Sequence, residues 1–405
     1  MTRRVLVTDA RRSSALAFIR SLGRKGWHVI AADDDRRSPG FRSRYAAERF
    51  VYPAPGRSPS AFVASLHARL CAQPVDLLVP VTDACIQPLA HARRRFAGLA
   101  ELAIAEDEAL ATVMDKSATL ALGRALGVPV PETRSVGGLE EARAAAAELG
   151  YPLVLKPTVS RRYSMAEDRL DVGRVRFARD RAELERLLPP LLERHALLLQ
   201  RYEAGTGVGL EALAHGGRVL HAFQHRRLAE IPPSGGASAW RESMALDPQL
   251  LGHATRLIEA LRWSGLIMIE FKLGRQPWLV EINGRVWGSL PLACHAGLDF
   301  PGALAELYES PEATRVERAP YRVGVRTYDL ELMLSWIVQV LLAPRRRAGP
   351  PLPARPRALA GLAGLLDPAQ AWDLTDRDDV GPRRAELWRI ARKLASKLRQ
   401  VGRRA

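Results

Sequence analysis

Three absences narrow the class of this 405-residue chain before any motif is considered. Its three cysteines, Cys71, Cys85 and Cys294, have no CxxC spacing, which argues against a disulfide scaffold and favours a reducing compartment. No apolar run reaches the roughly 18–20 residues that a membrane-spanning helix needs. The first residues carry charge throughout and do not resemble a signal peptide. We therefore expect a cytoplasmic protein.

Lysine is also scarce, although the net charge is +16. Only six of the 60 basic residues are lysines, so a lysine at a motif position carries more weight than an arginine. Residues 343–405 hold 15 basic and 6 acidic residues, and thus more than half of the excess charge. A basic tail is therefore indicated, whereas a surface built throughout for nucleic acid is not.

Alternating strands and helices are predicted over the first hundred residues. RRVLVTD (3–9), WHVIAADDD and VDLLVPVTD (75–83) are apolar runs that end in polar residues, and amphipathic segments separate them. This pattern predicts a parallel sheet with helices on its faces. DARRSS follows the first strand where a dinucleotide site would have GxGxxG, so a nicotinamide site is not favoured. Three polar residues stand at the ends of these strands: Asp9, Thr82 and Asp83. They are predicted either to contact a ligand or to cap the helices that follow.

The segment WLVEINGRVWGS (278–289) contains the first candidate site. Strand alternation puts Glu281 and Asn283 on one side, and Arg285 follows. The preceding strand, LIMIEFK, ends near Glu270, and a short turn at Gly274 can bring the two strands together. Converging carboxylates and an amide oxygen predict a Mg²⁺ site, with a polar strand end as the plain alternative.

Other segments each have a functional and an ordinary interpretation. Lys156 ends the apolar strand PLVLK and either meets an anion or extends its amine to solvent. Lys116 opens a helix after Asp115 and would be tolerated on a surface. LLLQRYEAGTG is predicted to be a strand followed by a polar turn. The free backbone groups of the turn could hydrogen-bond an adenine, or the turn could be an ordinary connection to the next loop. The loop within 225–243 either closes over phosphates or is a flexible connection.

In this order, the segments resemble the ATP-grasp superfamily over about residues 1–325, and more narrowly its carboxylate–amine ligase-like branch. The resemblance implies an α/β fold (α+β in the catalytic part) with a Rossmann-like parallel-sheet domain, a lid subdomain and a catalytic subdomain. The expected boundaries are 1–110 for the N-terminal domain, 111–200 for the lid with its linker helix, 201–325 for the catalytic subdomain, and 326–405 for a helical, basic extension.

The resemblance also assigns roles to residues. Carried over position by position, it implies ATP-phosphate contacts at Lys116 and Lys156, an adenine-reading hinge at Gln200, Arg201 and Glu203, a further nucleotide contact at Glu211, Mg²⁺ ligands at Glu270, Glu281 and Asn283, and catalytic arginines at Arg285 and Arg227, the latter beside the Gly235-Gly236 loop.

Two departures from the family pattern are visible. The segment after Lys156 has no glycine before Gly173, although the family's lid is usually glycine-rich, and Arg161, Arg162 and Ser164 are candidate replacements for the missing backbone amides. The proline of the family's E-x-N-P-R segment is Gly284 here. Neither departure removes a charged site residue, which favours an active enzyme.

The implied reaction joins a small-molecule carboxylate to an amine through an acyl phosphate, with ATP and one or two Mg²⁺ ions, Mn²⁺ being an alternative ion. The rival hypothesis is a degenerate nucleotide-binding or scaffold protein. The tail helix 383–401 has three interpretations: packing on the body, peripheral contact with an anionic membrane at its inner face, or nucleic-acid binding. Packing is favoured, no specific nucleic acid is expected, and the oligomeric state is left open.

Overall fold

The computed structural model describes residues 2–164, 167–233, 235–310, 320–342 and 352–402, and the fold is given for these residues. The first unit is a five-stranded sheet of order β3-β2-β1-β4-β5 in which every neighbouring pair is parallel. Its elements are β1 (Arg4–Val7), α1 (Ser13–Arg24), β2 (His28–Asp33), β3 (Glu48–Val51), α2 (Pro59–Ala72), β4 (Leu77–Val79), α3 (Asp83–His91), β5 (Glu101–Leu102) and α4 (Asp107–Met114), with short 3₁₀ turns at Pro39–Arg42 and Arg93–Phe96. The parallel sheet predicted from the strand–helix alternation is confirmed.

A second, four-stranded sheet of order β10-β7-β11-β6 follows. Two helices, α6 and α7, pack an alanine- and leucine-rich core against it. Its elements are α5 (Lys116–Ala125), β6 (Thr133–Val136), α6 (Leu139–Leu149), β7 (Leu153–Pro157), β8 (Arg161–Ser164), β9 (Arg169–Val172), β10 (Arg176–Ala178), α7 (Arg181–Leu192) and β11 (Leu197–Arg201).

The segment TVSRRYSMAEDR after β7, which the sequence predicts to be a loop, instead forms an antiparallel hairpin of β8 and β9. The hairpin is fastened to the first unit by Gln87, whose Nε2 donates to the Arg161 carbonyl at 2.6 Å. The Gln87 Oε1 accepts from the Tyr163 N–H at 2.9 Å. Strand pairing and this amide satisfy backbone groups that a glycine-rich loop would present to a ligand.

The third unit is a seven-stranded sheet of order β16-β15-β12-β13-β14-β17-β18. Its pairs are antiparallel except β17–β18. The elements are β12 (Thr206–His215), β13 (Arg218–Ile231), β14 (Ala237–Met244), α8 (Pro248–Ala260), β15 (Gly265–Leu273), β16 (Pro277–Asn283), α9 (Leu290–Ala296), α10 (Phe300–Glu309), β17 (Arg326–Tyr328), α11 (Leu330–Leu342), α12 (Arg355–Gly364), β18 (Gln370–Trp372) and α13 (Gly381–Gly402). A continuous apolar core joins one face of this sheet to the first unit.

The C-terminal segment is more than the helical extension expected over 326–405. β17 pairs with β14 and β18 pairs with β17, so two strands from this segment complete the seven-stranded sheet. Arg20 of α1 anchors the approach to α13, with its Nε 2.9 Å from Asp379 Oδ2. The linker expected over 344–358 lies largely outside the described residues.

The described part of α13 packs on the body through its first turns. Ile390 is buried, whereas Leu387 and Trp388 are exposed. Two tail cations, Arg389 and Lys393, form ion pairs with Glu331. Among the residues that the structure describes, no helix is long and apolar enough to cross a membrane. These contacts support the packing interpretation of the tail and add nothing to the membrane interpretation.

Candidate active site

A cleft of about 830 Å³ lies where the three sheets meet. Nine predicted site residues line it: Lys116, Lys156, Gln200, Arg201, Glu203, Arg227, Glu270, Glu281 and Arg285. Asn283 lies beside this set through its hydrogen bonds, whereas Glu211 does not line the cleft. Residues separated by up to 169 positions are thus brought to one surface by the packing of three sheets.

The two lysines come from different elements that are tied together. Asp115 caps α5 by accepting from the Ser117 N–H at 2.7 Å, which fixes Lys116 in the first turn. The Lys116 N–H donates to the carbonyl of Thr158 at 2.8 Å. Thr158 directly follows β7, the strand that carries Lys156. Lys116 Nζ donates to Ser160 Oγ and lies 3.8 Å from Glu281 Oε2. Both lysine side chains are buried.

The carboxylates converge as strand alternation predicted. β15 and β16 pair Glu270 with Glu281 and Met268 with Asn283. The Asn283 Nδ2 donates to Glu270 Oε1 at 3.0 Å and to Glu281 Oε1 at 3.3 Å. An amide nitrogen therefore bridges the two carboxylates and offsets part of their mutual repulsion.

The two carboxylates sit in different electrostatic environments. Burial raises the pKa of Glu270, and the opposing attraction of Arg227 does not cancel that rise. Burial also acts to raise the pKa of Glu281, but Lys116 and Lys156 outweigh it and the pKa is lowered. Glu281 is accordingly the firmer anion of the pair.

The donor set fits a hard divalent cation. Carboxylate and amide oxygens are what Mg²⁺ binds, and it normally completes its six positions with water or phosphate oxygens. Turning the Asn283 amide about its Cβ–Cγ bond would present Oδ1, which now accepts from Arg285 Nη2 at 3.0 Å. Within the described ranges, no group of three or more His, Cys, Asp or Glu side chains forms a metal cage, so ligand oxygens would have to complete the shell.

The two predicted catalytic arginines have different partners. Arg227 Nη2 lies 2.6 Å from Glu270 Oε2, and Nη1 lies 3.1 Å from Glu230 Oε1. Arg285 Nε lies 3.1 Å from Asp83 Oδ2, which links the end of β16 to the first unit. Arg227 was expected to face substrate or phosphate, and here it is held against a predicted metal ligand.

The predicted hinge residues occupy the other end of the cleft. Gln200 is buried and its Nε2 donates to Thr133 Oγ1 at 2.9 Å. Arg201 is bound to Glu132 at 2.7 Å, and Glu203 is partly exposed. Glu211 lies outside this group, because its carboxylate is fully buried 2.6 Å from His225 Nδ1.

Gly284, the position where the family has proline, packs against an aromatic ring. A Cβ at this position would lie 2.4 Å from the Trp263 ring and 2.8 Å from Val113 Cγ2. Trp263 is 1% exposed and fills the space that a larger residue would need. The departure at Gly284 is therefore explained by packing beneath the site.

Of the strand-end residues in the first unit, only some face the cleft. Thr82 and Asp83 line it. Asp9 does not, and its Oδ2 accepts from the Thr82 hydroxyl at 3.0 Å. Asp9 thus positions the turn that presents Asp83, which is a structural role but not the helix cap that was the alternative for strand-end aspartates.

Several lining residues were not identified from the sequence. Lys272 lies two positions beyond Glu270 on β15, so strand alternation could have identified it. Ser160 had no local signal. A further group belongs to the C-terminal segment and reaches the cleft only through long-range packing: Asp329, Glu331, Leu332, Leu374, Glu386 and Arg389.

This architecture is the ATP-grasp fold. Residues 193–329 match the family model described as "ATP-grasp in the biosynthetic pathway with Ter operon". The resemblance noted in the sequence is thereby confirmed. ATP-grasp family members are ATP-dependent ligases.

Known proteins of several activities share parts of the chain or its fold. The carbamoyl phosphate synthase large chain of Thermus thermophilus is 29% identical over 243 residues, which are 55% of this chain but 22% of that protein. The chain therefore spans about a fifth of the length of that relative. One structural neighbour is the biotin carboxylase domain of Hydrogenobacter thermophilus 2-oxoglutarate carboxylase, solved with MgADP and bicarbonate. It has a TM-score of 0.62 at 16% identity, and the match covers 80% of this chain and 73% of that chain. The L-amino acid ligase of Bacillus licheniformis has a TM-score of 0.56 at 17% identity, covering 76% and 74%.

Proposed function

We propose that this protein is an ATP-dependent carboxylate–amine ligase that forms an amide bond through an acyl phosphate and releases ADP and phosphate. The observation that carries the proposal is the convergence of Lys116 and Lys156 on Glu281 in one cleft, beside Glu270 and Asn283. Buried cations facing two carboxylates, with room between the sheets, suit a polyphosphate and its divalent ion. The L-amino acid ligase among the structural neighbours supports the reaction class by its fold.

ATP would lie along the cleft with its adenine near β11. Gln200 and Glu203 offer polar groups there, and Phe177 and Tyr202 line the same end as aromatic surfaces. The phosphates would extend toward Lys116 and Lys156. Glu211 is too deeply buried to be part of this path, so its predicted nucleotide contact is not included.

Glu270, Glu281 and Asn283 would hold one or two Mg²⁺ ions, with Mn²⁺ as a substitute. When bound, such an ion supplies charge neutralisation and fixes phosphate oxygens for in-line transfer. Arg227 Nη2 lies 2.6 Å from the Glu270 carboxylate, so this guanidinium stands beside the place where an ion would be held. From there Arg227 would offer its remaining N–H groups to the transferred phosphate.

The chemistry needs no nucleophilic side chain. A carboxylate oxygen of the substrate attacks the γ-phosphorus, the bond to ADP breaks, and an acyl phosphate results. The amine nitrogen then attacks the acyl carbon, phosphate leaves, and the nitrogen loses a proton. Lys116, Lys156 and Arg285 offset the charge that develops on the phosphate oxygens, which is the main contribution a protein makes to phosphoryl transfer.

A screen of phosphate release tests the proposed function. Purified protein with MgATP is incubated with pairs of carboxylates and amines, including all pairs of the common L-amino acids, and ADP and phosphate are quantified. We expect release that depends on both partners and an amide product of matching mass. Tight MgATP binding with no ADP from any pair would instead favour the nucleotide-binding scaffold hypothesis.

A pH dependence of ATP binding follows from Lys156. Burial lowers its pKa to about 8, with Glu281 raising it and Lys116 lowering it. The free protein therefore loses this charge above about pH 8, whereas bound phosphate would hold the proton on the amine. Affinity for MgATP should be constant below pH 8 and fall by up to about tenfold per pH unit above it.

The measurement is titration calorimetry between pH 7 and 9.5 in two buffers of different ionisation enthalpy. Net proton uptake near pH 8.5 is expected. Lys156→Arg serves as the matched variant, because arginine stays charged across this range and should remove the dependence. Equal wild-type affinity at pH 7 and 9.5 would contradict the assignment of Lys156 to phosphate.

A further inference from the structure

The C-terminal segment forms part of the cleft wall. Asp329, Glu331 and Leu332 contribute from the start of α11, Leu374 follows β18, and Glu386 and Arg389 contribute from α13. All of these except Asp329 lie outside the region that matches the family model. Apart from Asp329, this wall is therefore built from residues that the family model does not cover.

Two of the three carboxylates in this wall are already neutralised. Glu331 forms ion pairs with Arg389 and Lys393. Glu386 Oε1 lies 2.5 Å from Arg389 Nη2. These four side chains pair with one another and carry no net charge, so they do not require a charged ligand.

Asp329 is different. Its Oδ1 accepts from the Leu332 N–H at 2.9 Å and caps α11, which leaves the other oxygen for a further contact. No cation is in contact with this carboxylate among the residues that the structure describes. Its backbone is fixed, because the Asp329 N–H donates to the Ala239 carbonyl at 3.0 Å.

The surroundings of Asp329 disfavour its negative charge. Burial raises its pKa, and the charge of Asp373 raises it further. Arg241 acts in the opposite sense, but its guanidinium is buried and bound by Asp373 and the Ser238 carbonyl. Since Arg241 and Asp373 neutralise one another, Asp329 remains a partly desolvated carboxylate with no counter-charge in the described part of the chain.

We propose that Asp329 anchors an amine subsite, where it binds the ammonium group of a primary amine carried on an aliphatic chain that lies along Leu332 and Leu374. This inference rests on the proposed function and deepens it, since it assigns the amine substrate a binding site in the cleft and a positive charge when bound. The ammonium would supply the missing cation, and the two leucines would cover its carbon chain. Before attack it would give one proton to the Asp329 carboxylate, which leaves the neutral amine with the lone pair that attacks the acyl carbon.

Other ligands fit this place less well. A carboxylate or phosphate group would be repelled by Asp329. A divalent cation needs several oxygen ligands, and here a single carboxylate oxygen is available beside a capped helix. A primary ammonium needs only one strong acceptor and ordinary polar neighbours.

The test compares Asp329→Asn with Asp247→Asn. The amide introduced by Asp329→Asn keeps an oxygen to cap α11 and removes the charge. Asp247 is the matched control, because it caps α8 by accepting from the Gln249 N–H at 2.8 Å and does not line the cleft. Thermal unfolding of both variants checks that the caps remain formed.

The probe is butylammonium chloride, titrated by calorimetry into each protein saturated with Mg²⁺ and a non-hydrolysable ATP analogue, with 1-butanol as the neutral counterpart. We expect butylammonium to bind the wild type and Asp247→Asn alike, and to bind Asp329→Asn about 30-fold or more weakly, as loss of a buried charge pair predicts. Butanol affinity should be equal in all three proteins.

Absence of butylammonium binding to the wild type, or equal binding to Asp329→Asn, would overturn the subsite. The proposed function is tested separately. The wild type is incubated with MgATP, a carboxylate and hydroxylamine but no amine substrate, and hydroxylamine converts any acyl phosphate into a hydroxamate. No hydroxamate from any carboxylate would count against the ligase reaction, while the butylammonium titration would still decide the subsite.

Discussion

Glu281→Gln is expected to lower ATP-dependent turnover at least about a hundredfold while leaving the fold intact. Glu281 is the carboxylate that both lysines hold ionised, and it shares Asn283 with Glu270. Replacing it with an amide of the same shape removes the negative charge that would bind Mg²⁺. It also leaves Lys116 and Lys156 without their common counter-ion.

The measurement is ADP release at saturating substrate, together with urea unfolding. Glu259→Gln, on the exposed face of α8, is the matched control and should match the wild type in both. A Glu281→Gln protein that is as stable as the control and retains more than a tenth of the turnover would contradict the role given to β16.

Asp373→Ala is expected to destabilise the protein by about 3–5 kcal/mol, because it leaves a buried guanidinium unpaired. Arg241 is 1% exposed, and its ion pair with Asp373 joins β14 to the end of β18. The prediction tests whether the C-terminal segment is an integral part of the catalytic sheet.

Urea unfolding followed by tryptophan fluorescence measures this effect. Asp378→Ala, on an exposed side chain of the same segment, should change stability by less than about 0.5 kcal/mol. The double variant Arg241→Met, Asp373→Leu should recover most of the loss, since it removes both charges. Equal stability of Asp373→Ala and Asp378→Ala would show that the pair does not hold the segment.

Much of the fold was accessible from local pattern. Apolar runs separated by amphipathic segments predicted the parallel sheet of the first unit, and β1, β2 and β4 are its central strands. The period-two alternation of WLVEIN, with a turn at Gly274, predicted that Glu270 and Glu281 would lie side by side. These predictions held because they depend on neighbours in the chain.

The rest depends on contacts between distant residues. β17 and β18 are three residues each, too short to show alternation, and they form only because β14 offers an edge. The Arg241–Asp373 pair spans 132 positions. The hairpin after β7 is likewise fixed by Gln87, 74 residues away from Arg161. No local signal could have placed Asp329 in the cleft.

The packing shows what each of the two departures from the family pattern does in the structure. Gly284 is accounted for by the Trp263 ring beneath it. The glycine-poor segment after Lys156 forms a hairpin, and its start contacts Lys116 through the Thr158 carbonyl and the Ser160 hydroxyl. The proposed nucleotide site is therefore more rigid at this edge than a glycine-rich lid would make it.

The acyl-phosphate step is the central claim, and isotope transfer tests it most directly. A carboxylate substrate identified in the phosphate-release screen is labelled with ¹⁸O in both oxygens and incubated with MgATP, the amine and the protein. We predict that each phosphate released carries a single ¹⁸O atom, since a carboxylate oxygen becomes the bridge to phosphorus. Phosphate that forms together with the amide product but contains no ¹⁸O would contradict it.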